Sequence, residues 1–307
     1  MIEAKSLCKS YGPIKAVDDL SFTVEAGQVL GFLGPNGAGK STTMKMLTGF
    51  LAPTSGTATV NGIDVVEDSV AARRNIGYLP EGAPSYGEMT VEQFLAFIAR
   101  ARLIEKAAVT ASVDGVIEKL NLKKVRHQPI DTLSKGFKRR VGLAQAIIHD
   151  PQILILDEPT DGLDPNQKRE VRHLIRDMAK DKIIIISTHI LEEVAALCNR
   201  VMIIADGRLL ADDSPQGLIE RSRYHNAVSL VTDEAEKVAS ALSELPEVAR
   251  AEIREGELTV FPAGEANLFG AVTKAARDNG WDLQALRFES GRLDEVFHDI
   301  TCGGART

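Results

Sequence analysis

Gly34-Pro35-Asn36-Gly37-Ala38-Gly39-Lys40-Ser41-Thr42 is the stretch that decides the fold of this 307-residue chain. It fits the pattern Gly, four residues, Gly-Lys-Ser/Thr, with an apolar run before it and a helix-compatible stretch after it. Glycines let backbone N–H groups turn inward around a phosphate, and the following helix points the positive end of its dipole at the same anion. We therefore predict a nucleotide-phosphate site made by Gly34, Asn36, Gly37, Gly39, Lys40, Ser41 and Thr42. Lys40 would reach the β- and γ-phosphates, and the Ser41 hydroxyl would hold Mg²⁺.

Composition and charge narrow the class of protein. The length suits about two domains, and the 44% hydrophobic and 26% charged residues are typical of a globular protein. Cys8, Cys198 and Cys302 are too far apart for a disulfide framework or metal cluster, which predicts a reducing cytosol. We see no signal peptide, and apolar runs such as Ile183–Ile186 are too short to cross a bilayer. The net charge of −7 predicts no nucleic-acid partner.

Upstream of the glycine-rich stretch, residues 2–7 and 20–25 alternate like strands around the turn Tyr11-Gly12-Pro13. Tyr11 precedes the phosphate site by a short distance. Its ring could stack on an adenine base, or it could be a half-buried loop tyrosine, and the sequence supports both interpretations equally.

Downstream, a strand over Ile76–Leu79 ends at Pro80-Glu81. Thr90 with Gln93 predicts a capping box that starts a helix to about Ile104, and a second helix follows over about 107–120. These helices form an insert before the next motif.

That motif is Leu133-Ser134-Lys135-Gly136-Phe137, which precedes a helix through Ile148. Ser134 is a good N-cap, and Gly136 keeps the first turn accessible, so the helix end could bind an anion. The basic residues Lys138, Arg139 and Arg140 could add to such a site, or they could be no more than a solvated face of this helix.

Two apolar runs then end in chemically active residues. Ile153–Leu156 is typical of a buried parallel strand and is followed by Asp157-Glu158. Ligands of open α/β sheets lie at the carboxyl ends of strands, so Asp157 suits Mg²⁺ and Glu158 suits activation of a water molecule. A second run, Ile183–Ile186, leads to His189, which we place in the same layer.

Residues 1–222 as a whole resemble the nucleotide-binding domain of ABC transporters. The resemblance implies an α/β P-loop NTPase fold of the ABC cassette type, with a mixed sheet core, a β subdomain and a helical insert at about 82–148. It makes Gly34–Thr42 the Walker A loop, Leu133–Phe137 the signature motif and Ile153–Glu158 Walker B. Tyr11 falls at the adenine-stacking position, Gly162-Leu163-Asp164 in the D-loop, and His189 at the switch histidine.

The resemblance also implies how ATP is held and used. Two such domains pair head to tail around two ATP molecules, so that Ser134 and Gly136 contact the γ-phosphate bound by the partner's Walker A loop. Lys40, Glu158 and His189 would be the catalytic residues, and Ser41, Asp157 and Glu81 the residues around Mg²⁺.

The chain departs from the usual family pattern at two places. Glu81 stands where glutamine is usual, and Lys135-Gly136-Phe137 replaces Gly-Gly-Gln. Both variants resemble the ABC-2 exporter subgroup of the drug-export and gliding-motility type. A carboxylate can still meet Mg²⁺ or its waters, so we expect activity, whereas Phe137 cannot make the hydrogen bonds of a glutamine.

Past Arg221 the pattern changes to strand, helix, two strands, helix and strand, which predicts a small α+β, ferredoxin-like domain over residues 223–301. Residues 223–307 have 9 basic and 15 acidic side chains, whereas residues 1–222 have 27 basic and 28 acidic ones. The sequence shows no catalytic constellation in this second domain. Residues 302–307 are predicted to be a tail.

The sequence thus predicts an ATP-hydrolysing subunit of an ABC exporter, cytoplasmic and peripheral on the inner face of the cell membrane, that powers a separate permease. The permease would carry the specificity for the transported substrate. A soluble ABC ATPase acting on a non-membrane partner is the alternative, although ribosome-acting members carry two cassettes and DNA-acting members long coiled coils. A kinase would not explain Leu133–Phe137 or His189.

Overall fold

A computed structural model describes residues 1–264 and 267–303 of the chain. Its contacts divide the chain into two units, the first being Met1–Ser214 and the second beginning at Pro215. The sequence placed the boundary after residue 222. The structure places it earlier because the short helix Pro215–Glu220 packs on the last helix of the chain.

The first unit contains the phosphate-loop segment. Its strands are β1 (Ile2–Tyr11), β2 (Ile14–Val24), β3 (Val29–Leu33), β4 (Ser55–Val60), β5 (Ile63–Asp64), β6 (Ile76–Leu79), β7 (Ile153–Asp157), β8 (Ile183–Thr188), β9 (Arg200–Ala205) and β10 (Arg208–Asp213). Its helices are α1 (Lys40–Leu47), α2 (Ser69–Arg74), α3 (Val91–Ala101), α4 (Val109–Lys119), α5 (Lys135–Ile147), α6 (Pro165–Met178) and α7 (Leu191–Leu197). Two short 3-10 helices, Lys123–Val125 and Ile130–Thr132, lie between α4 and α5.

The larger sheet positions the candidate site. Its strand order is β10-β9-β3-β8-β7-β6, and all strands are parallel except β10. Every residue of β3, β7 and β8 is buried, as expected for apolar strands covered on both faces. Leu33 pairs with Thr188, and Asp157 pairs with Ser187, so the ends of these three strands lie at one edge.

A smaller antiparallel sheet, in the order β2-β1-β4-β5, forms the β subdomain. Its apolar face and the larger sheet contribute to one hydrophobic core around α1, which includes Leu20, Phe32 and Met44. Tyr11 is the last residue of β1 and pairs with Ile14, so it closes a strand rather than lying in the loop.

The helical insert begins with the predicted capping box. The Thr90 hydroxyl accepts from the Gln93 N–H, and the Gln93 side chain accepts from the Thr90 N–H. Helix α3 ends at Ala101 rather than near Ile104, because Leu103 adopts the left-handed φ of 62° that closes a helix.

The second unit has the predicted strand and helix order. Its elements are α8 (Pro215–Glu220), β11 (Val228–Val231), α9 (Ala235–Ser243), β12 (Val248–Arg254), β13 (Glu257–Pro262), α10 (Leu268–Asn279), β14 (Ala285–Phe288) and α11 (Leu293–Gly303). The antiparallel order β12-β13-β11-β14 is that of a ferredoxin-like sheet, which confirms this part of the predicted fold.

The core of the second unit is formed by side chains such as Val228, Leu242 and Val272. Two predicted boundaries differ from those observed. The sequence predicts the second helix of this domain over about 265–279, whereas α10 begins at Leu268 with Asn267 as its N-cap, and residues 265–266 lie outside the described part. Cys302 and Gly303 belong to α11 rather than to a tail, and residues 304–307 lie outside the described part.

Candidate nucleotide-binding site

The loop from β3 to α1 is closely packed at its glycines. Gly39 has a φ of 103°, and a Cβ atom there would lie 2.4 Å from the Ala16 carbonyl oxygen. A Cβ atom on Gly34 would lie 2.2 Å from the Ile204 carbonyl oxygen. Only glycine fits these two positions, so the neighbouring strands hold the loop in its curled form.

Lys40, the first residue of α1, directs its ammonium into the curl of this loop. It is only 7% exposed, and Nζ donates to the carbonyl oxygens of Gly34, at 2.6 Å, and Pro35, at 2.9 Å. Burial lowers the pKa of Lys40, while the carboxylates of Glu158, Asp157 and Glu81 oppose that shift. The loop therefore presents a buried cation opposite three acidic side chains.

Asp157 ends β7 and is 2% exposed. Its Oδ1 accepts a hydrogen bond from the Ser187 hydroxyl, whereas its buried Oδ2 has no hydrogen-bond partner. An unpartnered buried carboxylate oxygen is costly unless a cation or donor occupies its other side. The arrangement fits a metal ion at Oδ2.

Glu158 follows Asp157 in a left-handed backbone conformation, with φ at 50°. Its N–H donates to the Ser187 carbonyl oxygen at 2.9 Å, which holds this turn against β8. Non-glycine residues with positive φ are uncommon and concentrate at functional sites. Because of this turn, Oε1 of Glu158 lies 2.6 Å from Nδ1 of His189. The carboxylate predicted to activate water and the predicted histidine are thus hydrogen-bonded to each other.

A cavity of about 280 Å³ lies between the loop and the strand ends. It is lined by Asn36, Gly37, Ala38, Gly39, Lys40, Ser41, Thr42, Glu81, Asp157 and Glu158. Most of the residues predicted from the sequence to bind phosphate and Mg²⁺ are thus brought together.

Other predicted residues lie outside the lining of this cavity. Ser134 is exposed at the N-terminus of α5, where its hydroxyl accepts from the Phe137 N–H at 3.4 Å. Gly136 is buried, and a Cβ atom there would lie 2.7 Å from the Gln167 side chain. Tyr11 is 50% exposed, with the Lys9 ammonium 5.5 Å from its ring centroid. Within one chain, these residues do not complete the cavity.

The residues that could hold a metal are few. Within residues 1–264 and 267–303, no group of three or more His, Cys, Asp and Glu side chains is arranged to bind one. Mg²⁺ usually binds through one or two protein carboxylates together with phosphate oxygens and waters. Asp157, Ser41 and Glu81 around one cavity match that need, so the donor set fits Mg²⁺ bound with a nucleotide.

Of the two interpretations of the basic residues on α5, the solvated face does not hold for two of the three. Arg139 and Arg140 are 5% and 6% exposed. Arg139 donates to main-chain carbonyls, and Arg140 lies 4.3 Å from the Phe137 ring centroid and donates to the Leu120 carbonyl oxygen at 3.2 Å. The small residues of α5, such as Gly142 and Ala144, were a signal that this helix is packed on more than one side.

Sequence reasoning also missed Glu193, a buried acid of α7. The hydroxyls of Thr160 and Thr188 both donate to its carboxylate, and Lys168 lies 3.9 Å away. Burial raises the pKa of Glu193. Its carboxylate joins the turn after β7 to the end of β8, and nothing in the sequence distinguishes it from exposed Glu192.

The family described as ABC transporter matches residues 17–161. A Bacillus subtilis relative, the uncharacterized ABC transporter ATP-binding protein YxlF, is 36% identical over 305 residues, covering 97% of this chain and 98% of the relative. The chain belongs to the ABC transporter ATP-binding proteins, a family of ATPases.

Other ABC relatives are named for export. The probable multidrug ABC transporter ATP-binding protein YbhF of Escherichia coli is 40% identical over 223 residues, which cover 72% of this chain but only 38% of YbhF. The Nod factor export ATP-binding protein I of Rhizobium meliloti is 40% identical over 220 residues, covering 71% of this chain and 66% of the relative.

Solved structures confirm the ABC cassette fold. An ATP-binding subunit of an ABC transporter is 29% identical and superposes with a TM-score of 0.67, covering 72% of this chain and 92% of that one. The dimeric ATP-binding cassette MJ0796, in a post-hydrolysis state with ADP and Pi, is 20% identical with a TM-score of 0.66. That match covers 70% of this chain and 99% of the cassette.

Proposed function

We propose that this ABC protein binds Mg-ATP in the cavity, hydrolyses it, and supplies the energy for an exporter. The observation that carries the proposal is the meeting of buried Lys40, the unpartnered Oδ2 of Asp157 and the Glu158–His189 pair around one cavity. A cation, a metal ligand and a hydrogen-bonded general base are the groups that phosphoryl transfer to water requires.

The roles follow from the contacts. The Lys40 ammonium, now on two loop carbonyls, stabilises the β- and γ-phosphates, and the loop N–H groups from Asn36 to Thr42 surround them. Ser41, Asp157 and Glu81 would hold Mg²⁺, which would neutralise charge on the phosphate oxygens. Glu158 accepts a proton from the attacking water, and His189 orients the Glu158 carboxylate.

Two copies of the chain form the complete site. Ser134 is exposed at a helix N-terminus and lies outside the lining of the chain's own cavity, which suits a donor to ATP held by a partner. Gly136 lies in the same first turn of α5. Exposed Tyr11 is available to stack on the adenine ring.

The remaining partner in this proposal is an integral-membrane permease. None of the helices in the described part of the chain is long and apolar enough to cross a membrane. The names of the relatives YbhF and Nod factor export protein I support an exporter. The chain would then work at the cytoplasmic face of the cell membrane.

The test has two measurements. Mg-ATP hydrolysis by the purified chain should rise more than linearly with protein concentration, because the competent species is a dimer. The tagged chain, incubated with detergent-solubilised membranes of its source cells, should retain a permease. Hydrolysis with retention of only soluble proteins would instead support the alternative of an ABC ATPase with a non-membrane partner.

A further inference from the structure

Arg139 links two segments that border the cavity. It lies on α5, five positions beyond the N-cap Ser134, and is 5% exposed. Its Nη1 donates to the Pro80 carbonyl oxygen at 3.2 Å, and its Nη2 donates to the carbonyl oxygens of Asp157 and Glu158. One guanidinium therefore holds the chain immediately after β6 and the turn after β7.

Nearby carboxylates stabilise the positive charge of the buried Arg139 side chain. Burial lowers the pKa of Arg139, while the carboxylates of Asp161, Asp157, Glu158 and Glu81 favour its charged form. An arginine keeps its proton even when buried, and its planar fork has several donors in fixed directions. Three carbonyl oxygens on two segments match this fork better than they match the single point charge of a lysine.

Helix α5 contacts the same region at other points. The Gln145 side chain donates to the Tyr78 carbonyl oxygen at 2.8 Å, within β6. Gly142 is so close to the segment after β6 that a Cβ atom there would lie 2.7 Å from the Ala83 side chain. Helix α5 is therefore in close contact both with β6 and with the segment after it that carries Glu81.

We propose that Arg139 is a positioning residue that couples the N-terminus of α5 to the backbone of Glu158 and Glu81 in the same chain. The inference rests on the proposed function, in which that N-terminus contacts ATP held by the partner. Binding of the partner's nucleotide at Ser134 then fixes α5, and Arg139 transmits this position to the chain's own water-activating carboxylate. Hydrolysis at the two sites of the dimer becomes cooperative.

The test compares Arg139→Gln with Lys138→Gln in the full-length chain. Lys138→Gln removes the same charge one position earlier and is the matched control, since no hydrogen bond or ion pair of the Lys138 side chain is found in the described part of the chain, and its backbone N–H, which donates to the Ser134 carbonyl oxygen at 3.0 Å, is kept by the substitution. Hydrolysis is measured against Mg-ATP concentration, and binding by titration with a fluorescent ATP analogue. Misplacement of a reacting group by about 1 Å can cost roughly 100-fold in rate.

We expect Arg139→Gln to lower kcat by roughly 10- to 100-fold while nucleotide affinity stays within about twofold of wild type. The Hill coefficient for ATP should fall to about 1, because the coupling between sites is lost. Arg139→Lys keeps the cation but reaches fewer carbonyls, so it should recover part of kcat. Arg139→Lys also allows the test to be made if the Arg139→Gln protein is insoluble.

Three outcomes would overturn the inference. In the first, Arg139→Gln matches Lys138→Gln in kcat and Hill coefficient. In the second, it loses affinity and kcat by the same factor, which indicates general loss of structure. In the third, Arg139→Lys equals wild type. Absence of hydrolysis by the wild-type chain would overturn the proposed function and this inference together, whereas the three outcomes above leave the proposed function intact.

Discussion

The two units differ in what they bury. The first unit buries the charged side chains of Lys40, Arg139, Arg140, Asp157 and Glu193, and four of these lie around the strand ends or the turns that follow them. In the second unit, the buried polar side chains of the described residues are hydroxyls only, such as Ser229 and Thr259, which pair with each other. Burying a charge is costly unless it is paired. The difference indicates that buried charge is concentrated at the candidate site of the first unit, whereas the described part of the second unit has a core without buried charges.

The largest effect should come from Glu158→Gln. A neutral amide cannot accept the proton of the attacking water, so turnover should fall by roughly 10²–10⁴ while ATP binding persists. An ATP-held dimer should then accumulate and be visible by light scattering with Mg-ATP. Exposed Glu192→Gln is the control and should behave as wild type. Monomers with wild-type turnover would contradict both the general base and the dimer.

The second-largest effect should come from Ser134→Arg. The rate of hydrolysis should fall by roughly 10²–10³, the usual loss when a hydrogen-bond donor to the transition state is removed. ATP binding by the monomer should remain, because Ser134 acts on the partner's nucleotide. Mixing this variant with Lys40→Ala subunits should leave at most one competent site per dimer. Loss of ATP binding by the Ser134→Arg monomer itself would show that Ser134 acts within its own chain.

Lys40→Ala should weaken ATP binding by roughly 100-fold or more, since hydrogen bonds to charged groups contribute about 1.5–3 kcal/mol each. Titration with a fluorescent nucleotide measures this loss. Lys45→Ala removes an exposed cation from the same helix and should leave affinity unchanged. Near-normal nucleotide affinity of the Lys40→Ala variant would contradict the assignment of Gly34–Thr42 as a phosphate-binding loop.

The smallest effect should follow removal of the second unit. Truncation after Ser214 should leave a folded unit with near-normal ATP affinity, because the cavity is lined by residues of the first unit alone. We expect hydrolysis by the truncated form to fall more steeply on dilution, because the second unit raises the effective concentration of the two cassettes. If hydrolysis depends on protein concentration in the same way in the full-length and truncated chains, the second unit does not support dimerisation. Loss of ATP binding by the truncated chain would show that the truncation divides a single hydrophobic core.

Local patterns explain what the sequence could predict. Helix α1 follows the glycine-rich loop as predicted, Thr90 and Gln93 form the predicted capping box, and the second unit has the predicted strand order. These features depend on residues near one another in the chain. The burial of Arg139 and Glu193 depends on segments that reach them from β6, β7 and β8, so helical periodicity could not reveal it. The role of Ser134 depends on a second chain and stays a prediction.

The acceptors of Arg139 have one further consequence. All three are main-chain carbonyls, at Pro80, Asp157 and Glu158, so the arginine recognises the path of the backbone rather than the identity of any side chain. Exchange of the side chains at Pro80, Asp157 or Glu158 therefore cannot restore what an Arg139 variant loses. A suppressor screen starting from Arg139→Gln should yield reversion to a basic residue at 139, and no compensating pair.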